Sequence, residues 1–475
     1  MVTALVLSVL VTADVRPPEF YAPNQELREY MLEAARNHPG LRARHDEWLA
    51  ALERIPQVTS LDDPMLTYGQ FLQSETSRFK VMLSQKFPWF GTLRARGDRA
   101  AAEADAALAR FYTERNRVFA DVKQAYFEYG FLKERLRVTE SQADVVQYVE
   151  DVVHAKLSLG LATEDDVLRV SIEKAKLEDL YASLLQMRPA LAARLNETLG
   201  CEVCGERPWP QEAELPPPLP PAPVILARIR VANPELTVFD HMIESRRKQA
   251  ELARKSGFPN LQLGIEYVSM SKPRQVRPDR PYPASLNAAN RVLSTVTGAT
   301  PFSPLNAGID AYALGTAGEP MAYSDGGEDN VMVSLSATLP IWRKRIRAGI
   351  EEGRLLESAT KHARRRRTLA LDSAAQMTVF NVEDAQRRRL LYRETLIPQA
   401  QRTYEGLQTR YATGALGSDL LDVLESVRTL LEFGLEEARA VRDWQVAAAE
   451  LESLMGGPWS AGTGTEGSEA SAEST

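Results

Sequence analysis

The stretch Phe79-Lys-Val-Met-Leu-Ser-Gln-Lys-Phe87, followed by Pro88-Trp89-Phe90-Gly91, decides the fold. It recurs as Val331-Met-Val-Ser-Leu-Ser-Ala-Thr-Leu339, followed by Pro340-Ile341-Trp342. Each copy is an alternating strand that meets a proline, then an aromatic, then a very long polar helix. A duplication of this kind has to be recognised before length is used to count domains. Alternate residues of a strand face opposite ways. Phe79, Val81, Leu83 and Phe87 therefore oppose Lys80, Met82, Ser84 and Lys86, and Val331, Val333, Leu335 and Leu339 oppose Met332, Ser334, Ser336 and Thr338. One apolar and one polar face over about nine residues is the pattern of a strand with lipid on one side and water on the other.

Working outward, a second repeat has an offset of 195: Asn37-His-Pro-Gly-Leu41 matches Ala232-Asn-Pro-Glu-Leu236. Each proline reads as a kink or a helix N1 position. Leu66 and Gly69 match Leu261 and Gly264 at the same offset, so each half carries two strands. The strands are joined by a short link in the first half and by a Pro-, Gly- and Ser-rich insertion from about Met270 to Asn330 in the second. Two long helices follow. One runs from Gly91 to about Ala155, and the other from Arg343 to about Thr413 with Pro398 as its one interruption. Such lengths predict coiled-coil packing. Each then turns sharply, at Leu157-Ser-Leu-Gly160-Leu161 and at Tyr411-Ala-Thr-Gly414-Ala415. Gly160 and Gly414 suit the left-handed position after a helix, and Thr163 and Ser418 suit N-caps. Return helices end at Gly200 and at Gly456-Gly457.

The expected domains are a residual signal peptide at 1–13, repeats at 24–204 and 224–457, a proline-rich linker at 205–223 and a disordered tail at 458–475. The fold class is mainly α with a small β part. With 475 residues, 44% hydrophobic and 25% charged, the chain is not of a disordered type. No run reaches the roughly 18 apolar residues of a transmembrane helix, so membrane entry would be by strands.

Trp89, Phe90 and Trp342 stand just past the strands with arginines and lysines beyond, the arrangement of a membrane interface. Four strands cannot close a barrel, and an open edge in lipid leaves amides unpaired. A membrane-spanning chain of this kind must share its barrel with other copies.

Cys201 and Cys204, the only cysteines, read as a local disulfide or as two thiols at a helix end. A zinc site would need two further ligands, and no nearby cluster supplies them. No cofactor is expected. The run Arg364–Arg367 reads as a solvated helix face in a chain of net charge −7, not a nucleic-acid patch. No nucleophile–base set suggests an enzyme.

The duplicated layout, Gln85-Lys-Phe-Pro-Trp-Phe-Gly91 and the glycine–aspartate tip after Gly414 resemble the TolC-type outer-membrane efflux family. The resemblance implies a homotrimer with a 12-stranded β-barrel in outer-membrane lipid and a periplasmic α-helical barrel. It implies a periplasmic adaptor and an inner-membrane pump as partners. It places the pore constriction at Asp422 and Glu425, with Asp166 in the first half. It places adaptor contacts at Gly160, Leu161, Gly414 and Ala415. First-turn acids also offset a helix dipole, which accounts for Asp166 without a pore. The function expected is a passive efflux duct. A type I protein-secretion exit duct and a soluble coiled-coil scaffold are the alternatives.

Overall fold

The computed structural model describes residues 24–72, 77–201, 205–212, 215–270, 329–413 and 419–458. The signal-like start, Cys204, the insertion after Met270, Gly414, Ala415, Ser418 and the tail after Pro458 lie outside these residues. The chain forms two compact units. A helical unit takes the chain up to Thr59, Arg94–Arg254 and from Lys344 onward, and a sheet unit takes Ser60–Leu93 and Lys255–Arg343.

The first half runs α1 (Gln25–Asn37), α2 (Pro39–Thr59), β1 (Met65–Gln70), β2 (Ser77–Phe87), α3 (Thr92–Ser158) and α4 (Glu164–Leu199). The second runs α5 (Ala222–Ala232), α6 (Pro234–Lys255), β3 (Leu261–Met270), β4 (Asn330–Ala337), α7 (Arg343–Leu391), a π turn (Tyr392–Leu396), α8 (Ile397–Thr413) and α9 (Leu420–Met455). The order of elements repeats as the sequence leads one to expect. Pro39 and Pro234 each open a helix, where the missing N–H costs nothing. β4 ends two residues before Leu339, although the Thr338 N–H still reaches the Asn260 carbonyl at 2.9 Å.

The helix α3 has 67 residues, roughly 100 Å at 1.5 Å per residue. Its buried positions include Val118, Ala125, Leu132, Thr139, Val146 and Val153, each seven residues from the next. A strict seven-residue seam is the coiled-coil period. Toward its start the buried residues are alanines, among them Ala95, Ala100, Ala102 and Ala104, which leave room for close helix approach.

Each half of the helical unit has its own core. Leu27, Met31, Leu41, Val122, Tyr126, Leu195 and Leu199 join α1 to α4. Ile225, Ile229, Leu236, Leu371, Leu451 and Met455 do the same for α5, α6, α7 and α9. A third cluster unites the two hairpins near their turns: Val146, Val153, Val170, Tyr404, Tyr411, Val423 and Val427.

Pro398 explains the π turn. Proline has no N–H for the carbonyl four residues back and its ring crowds that carbonyl. The helix takes up the conflict one turn earlier, where the Ile397 N–H bonds the Tyr392 carbonyl five residues back. The first part of the proline-rich linker is strapped onto the first-half helices. Trp209 stacks on Tyr129 at 5.1 Å, and the Tyr129 hydroxyl donates to the Arg207 carbonyl at 2.9 Å.

Candidate functional site: a two-faced sheet and an acidic helical tip

The four strands form one antiparallel sheet in the order β1-β2-β3-β4. Register carries the alternation of each strand across all of them. Leu66, Leu83, Ile265 and Val333 lie in one row, and Tyr68, Val81, Tyr267 and Val331 in another. These rows share the apolar face. Val333 is 72% exposed and Leu66 69%, values that a folded protein in water rarely gives to a contiguous apolar surface. The alternate rows mix small and polar residues with methionines: Met65, Ser84, Gly264 and Ser334, then Thr67, Met82, Glu266 and Met332. Lys80 and Glu266 pair on that face at 3.6 Å. At Gly264 a Cβ would come within 2.7 Å of the Ser334 Oγ, so the strands pack closely on this face.

Of the interface aromatics, Phe90 is 80% exposed and Trp342 71%. Trp89 is instead half-buried, stacked on Phe258 at 5.2 Å with the rings 8° apart.

The helical tip is built from α3, α4, α8 and α9. Gly160 turns α3 into α4 at φ 70°, with the exposed Leu159 and Leu161 on either side. Thr163 caps α4 through a capping box, in which the Asp166 carboxylate accepts from the Thr163 backbone N–H at 2.9 Å and from its hydroxyl at 2.8 Å. Asp166 is thus engaged in its own helix start. The second-half cap differs from expectation: Asp419, not Ser418, is the N-cap of α9 and accepts from the Leu421 N–H at 3.1 Å. Asp reaches the first-turn amides as well as Ser does, and it adds a charge that favours the helix N-terminus.

Asp422 and Glu425 are exposed, one helical turn apart, opposite the buried Val423, Leu424 and Val427. Among the described residues neither carboxylate has an ion pair. The next exposed turn holds Arg428, whose guanidinium grips Glu173 of α4 through two hydrogen bonds, one of them 3.0 Å. The Arg428 hydrogen bonds are the main cause that holds the Glu173 carboxyl below the usual carboxylate range, and Lys176 at 2.8 Å adds to it. A second tie is Lys156, buried at the end of α3. Its ammonium donates to the Tyr411 carbonyl and sits 3.7 Å from the Tyr411 ring centroid. Burial pushes the Tyr411 hydroxyl up, helped by the negative charges of Asp166 and Asp419. Lys174 also bridges to Glu150 at 2.8 Å, within the first hairpin. The sequence reading named Asp422 and Glu425 but missed Arg428 and Glu173, which lie 255 positions apart.

Cys201 follows α4 and is disulfide-bonded; Cys204, the one other cysteine, is outside the described residues. Among the described residues no cluster of His, Cys, Asp and Glu could hold a metal ion, and no helix is long and apolar enough to cross a membrane.

A duplicated helical hairpin joined in sequence to an antiparallel sheet with one exposed apolar face is the build of a channel that crosses a bilayer on strands. The chain belongs to the Outer membrane efflux protein family, which it matches over residues 33–200 and 225–457. It is an outer-membrane channel protein of efflux, and its family is one of transport channels. A curated relative is the pyoverdine export outer membrane protein OpmQ of Pseudomonas putida, 21% identical over 80% of this chain and 71% of that one. Its fold is similar to that of the outer membrane protein VceC of Vibrio cholerae, with TM-score 0.66 and 15% identity over 91% of this chain and 96% of that one. It is also similar to the CmeC outer membrane channel of Campylobacter jejuni, with TM-score 0.67 and 12% identity over 94% and 90%.

Proposed function

We propose that three copies of this chain pool their strands into a closed barrel of about twelve and their helices into a periplasmic tunnel that narrows at Asp422 and Glu425. The observation that carries the reading is the sheet. Its apolar face is exposed along its length, and its β1 and β4 edges carry no further strand among the described residues. Such edges are tolerable in lipid only if another copy continues the ladder.

In this reading Asp422 and Glu425 make two stacked rings of carboxylates in a narrow pore. Rings of one sign draw in cations and repel anions. Arg428 to Glu173 and Lys156 to Tyr411 are the contacts that hold the two hairpins together at the tip, so they hold the closed state. The turns at Gly160-Leu161 and Gly414-Ala415 are the places for a periplasmic adaptor, coupled in turn to an inner-membrane pump. Trp89, Phe90 and Trp342 sit at the lipid–water boundary. Cys201 and Cys204 form a local bridge. The duct itself is passive, and what passes through it is selected upstream.

The test is outer-membrane fractionation with mild detergent extraction, followed by mass measurement. A heat-modifiable trimer in the outer-membrane fraction is expected. A soluble monomer would overturn the shared barrel and return the helices to a scaffold role.

A further inference from the structure

Trp342 leaves the end of β4 71% exposed, with the exposed Leu339 and Ile341 beside it. Three large apolar side chains thus stand bare within four positions. At the same end of the sheet, where Phe87 pairs with Leu261 and Leu261 with Ala337, lies a half-open cavity of about 420 Å³. Its lining includes Leu61, Phe87, Trp89, Phe90, Leu263 and Leu335, but not the chain's own Trp342. Leu61 belongs to the lead-in to β1, which Gln85 of β2 holds by donating its side-chain amide to the Asp62 carbonyl at 2.7 Å. The duplicated sequence already closes one junction of this kind. Trp89, two residues past β2, stacks on Phe258, three residues ahead of β3, at 5.2 Å. Pro340-Ile341-Trp342 follows β4 as Pro88-Trp89-Phe90 follows β2, and the residues ahead of β1 answer to those ahead of β3. The matching junction, from β4 to β1, cannot close within one chain, because those strands are the opposite edges of the sheet.

We infer that Trp342 of one copy enters this cavity in the next copy and packs on Leu61 there, so that the junction between chains repeats the contact that Trp89 and Phe258 make within one. The inference rests on the shared-barrel reading given above and adds to it the side chain that sets one copy against the next.

Direction, room and chemistry agree. The four strands alternate in direction, so an antiparallel ladder continued from β1 to another copy's β4 brings the end of that β4 beside the lead-in to β1. Paired strands lie about 4.8 Å apart, within reach of an indole that leaves the strand end. The cavity is several times the roughly 150 Å³ that holds benzene in an engineered apolar site, so an indole enters without parting the walls. Phe87, Trp89 and Phe90 offer ring faces and edges, and aromatic pairs gain more than the area they bury. The open mouth leaves the indole N–H in touch with water or headgroups, as at a membrane interface. A lipid tail is the competing occupant, but bulk lipid is as apolar as the lining and gives no net drive to hold one tail there. Trp342 arrives tethered to the strand that closes the barrel, so its local concentration at the cavity is high.

The experiment places the photoreactive p-benzoylphenylalanine at position 342 of the full chain assembled in outer membranes. Irradiation is followed by full denaturation, gel analysis and peptide mapping. The expected product is a covalent dimer or trimer whose adduct maps to Leu61 or to 87–93 of another copy. Leu263→Trp, which fills the cavity from its own wall, abolishes that adduct, and Leu335→Trp is the second filling variant if the first does not assemble. The heat-modifiable trimer, read without irradiation, reports folding and the shared barrel independently. Trp342→Ser lowers the temperature at which that trimer dissociates, and Trp342→Phe restores it; an unchanged temperature in Trp342→Ser would count against the contact. A trimer whose position 342 captures only phospholipid, or only its own chain, would overturn the contact and leave the shared barrel standing. A dimer adduct indifferent to both filling variants would put Trp342 against the neighbour outside the cavity and overturn the site. Absence of any trimer in the unsubstituted protein would overturn both.

Discussion

Gly200 and Gly456 end the return helices of the two halves, and both should resist even the addition of a methyl group. Gly200 is left-handed at φ 70°, and a Cβ there would fall 2.7 Å from the His38 Cα and 2.8 Å from the Asn37 carbonyl oxygen. Gly456, at φ 77°, would put a Cβ 2.7 Å from the Ala232 carbonyl oxygen. Asn37 and Ala232 are the last residues of α1 and α5, each two positions before its proline. The same contact thus occurs in each half, between a helix end and a kink. The obstructing atoms are backbone and cannot swing away. Gly160 provides the control, because it has φ 70° and nothing within 4 Å of its would-be Cβ. An alanine at a left-handed position costs about 1–2 kcal/mol by conformation alone. Overpacking against fixed atoms adds about 1–3 kcal/mol. Gly200→Ala and Gly456→Ala should each lose about 2–5 kcal/mol, and Gly160→Ala about 1–2 kcal/mol. The assay is thermal loss of the far-ultraviolet circular dichroism of the detergent-solubilised full chain, at one scan rate because unfolding of large assemblies is seldom reversible. If Gly200→Ala melts no lower than Gly160→Ala, the clash has no energetic weight and the reasoning from approach distance fails.

Three further outcomes follow from the helical unit. Lys123 and Glu452 form an ion pair in which both side chains are about 5% exposed or less, and burial pushes the Glu452 carboxyl up. Lys123→Met alone should destabilise by about 3–5 kcal/mol by stranding a buried carboxylate, whereas Lys123→Met with Glu452→Met should recover most of it in the same melting assay. Arg428→Ser should raise single-channel conductance in planar bilayers by freeing α9 from α4. Because Glu173 titrates below its unfolded value of about 4.3, its stabilising contribution is present above that value and is lost as pH falls through the folded one. Wild-type conductance should therefore rise as pH falls well below the ordinary carboxylate range, and that rise should be blunted in Arg428→Ser. Asp422→Asn with Glu425→Gln should lower the cation-to-anion permeability ratio, read from reversal potentials across a salt gradient.

Much of the fold was legible in local pattern. The strands followed from alternation, the kinks from Pro39 and Pro234, the hairpin turn from Gly160 and the long helices from the absence of proline. These features depend on backbone rules that act within a few residues. The exceptions are instructive. Asp419 displaced Ser418 as a cap because both residues suit the role and only the path of the chain selects between them. The linker looked free in composition, yet Trp209 and Arg207 find Tyr129 across about eighty positions. At the candidate site, Asp422 and Glu425 were reached through the resemblance to the efflux family, not through any local pattern, and both are exposed on α9. The partners that close the tip were not reached, because Arg428 with Glu173 and Lys156 with Tyr411 join residues 255 positions apart. No periodicity encodes such pairs.

The π turn ahead of Pro398 has a consequence for phase. Upstream, the buried residues of α7 include Leu371, Ala375, Thr378, Val382 and Ala385, stepping four and three residues at a time. Extended past the turn, that count would reach 403 and 410. The buried tyrosines are Tyr404 and Tyr411, each one residue late. The extra residue in the widened turn absorbs that slip, so one seam faces the neighbouring helices above and below it. The first-half helix keeps its count unbroken from Val118 to Val153 and needs no such turn. The two halves therefore reach the same tip with different tallies of residues, and the π turn works as a vernier that brings the longer strand of sequence back into step. Removing one residue between Tyr392 and Leu396 would let a regular helix carry Tyr404 and Tyr411 onto the same seam, whereas tightening the turn to a regular helix with that residue kept would swing them off it by about 100°.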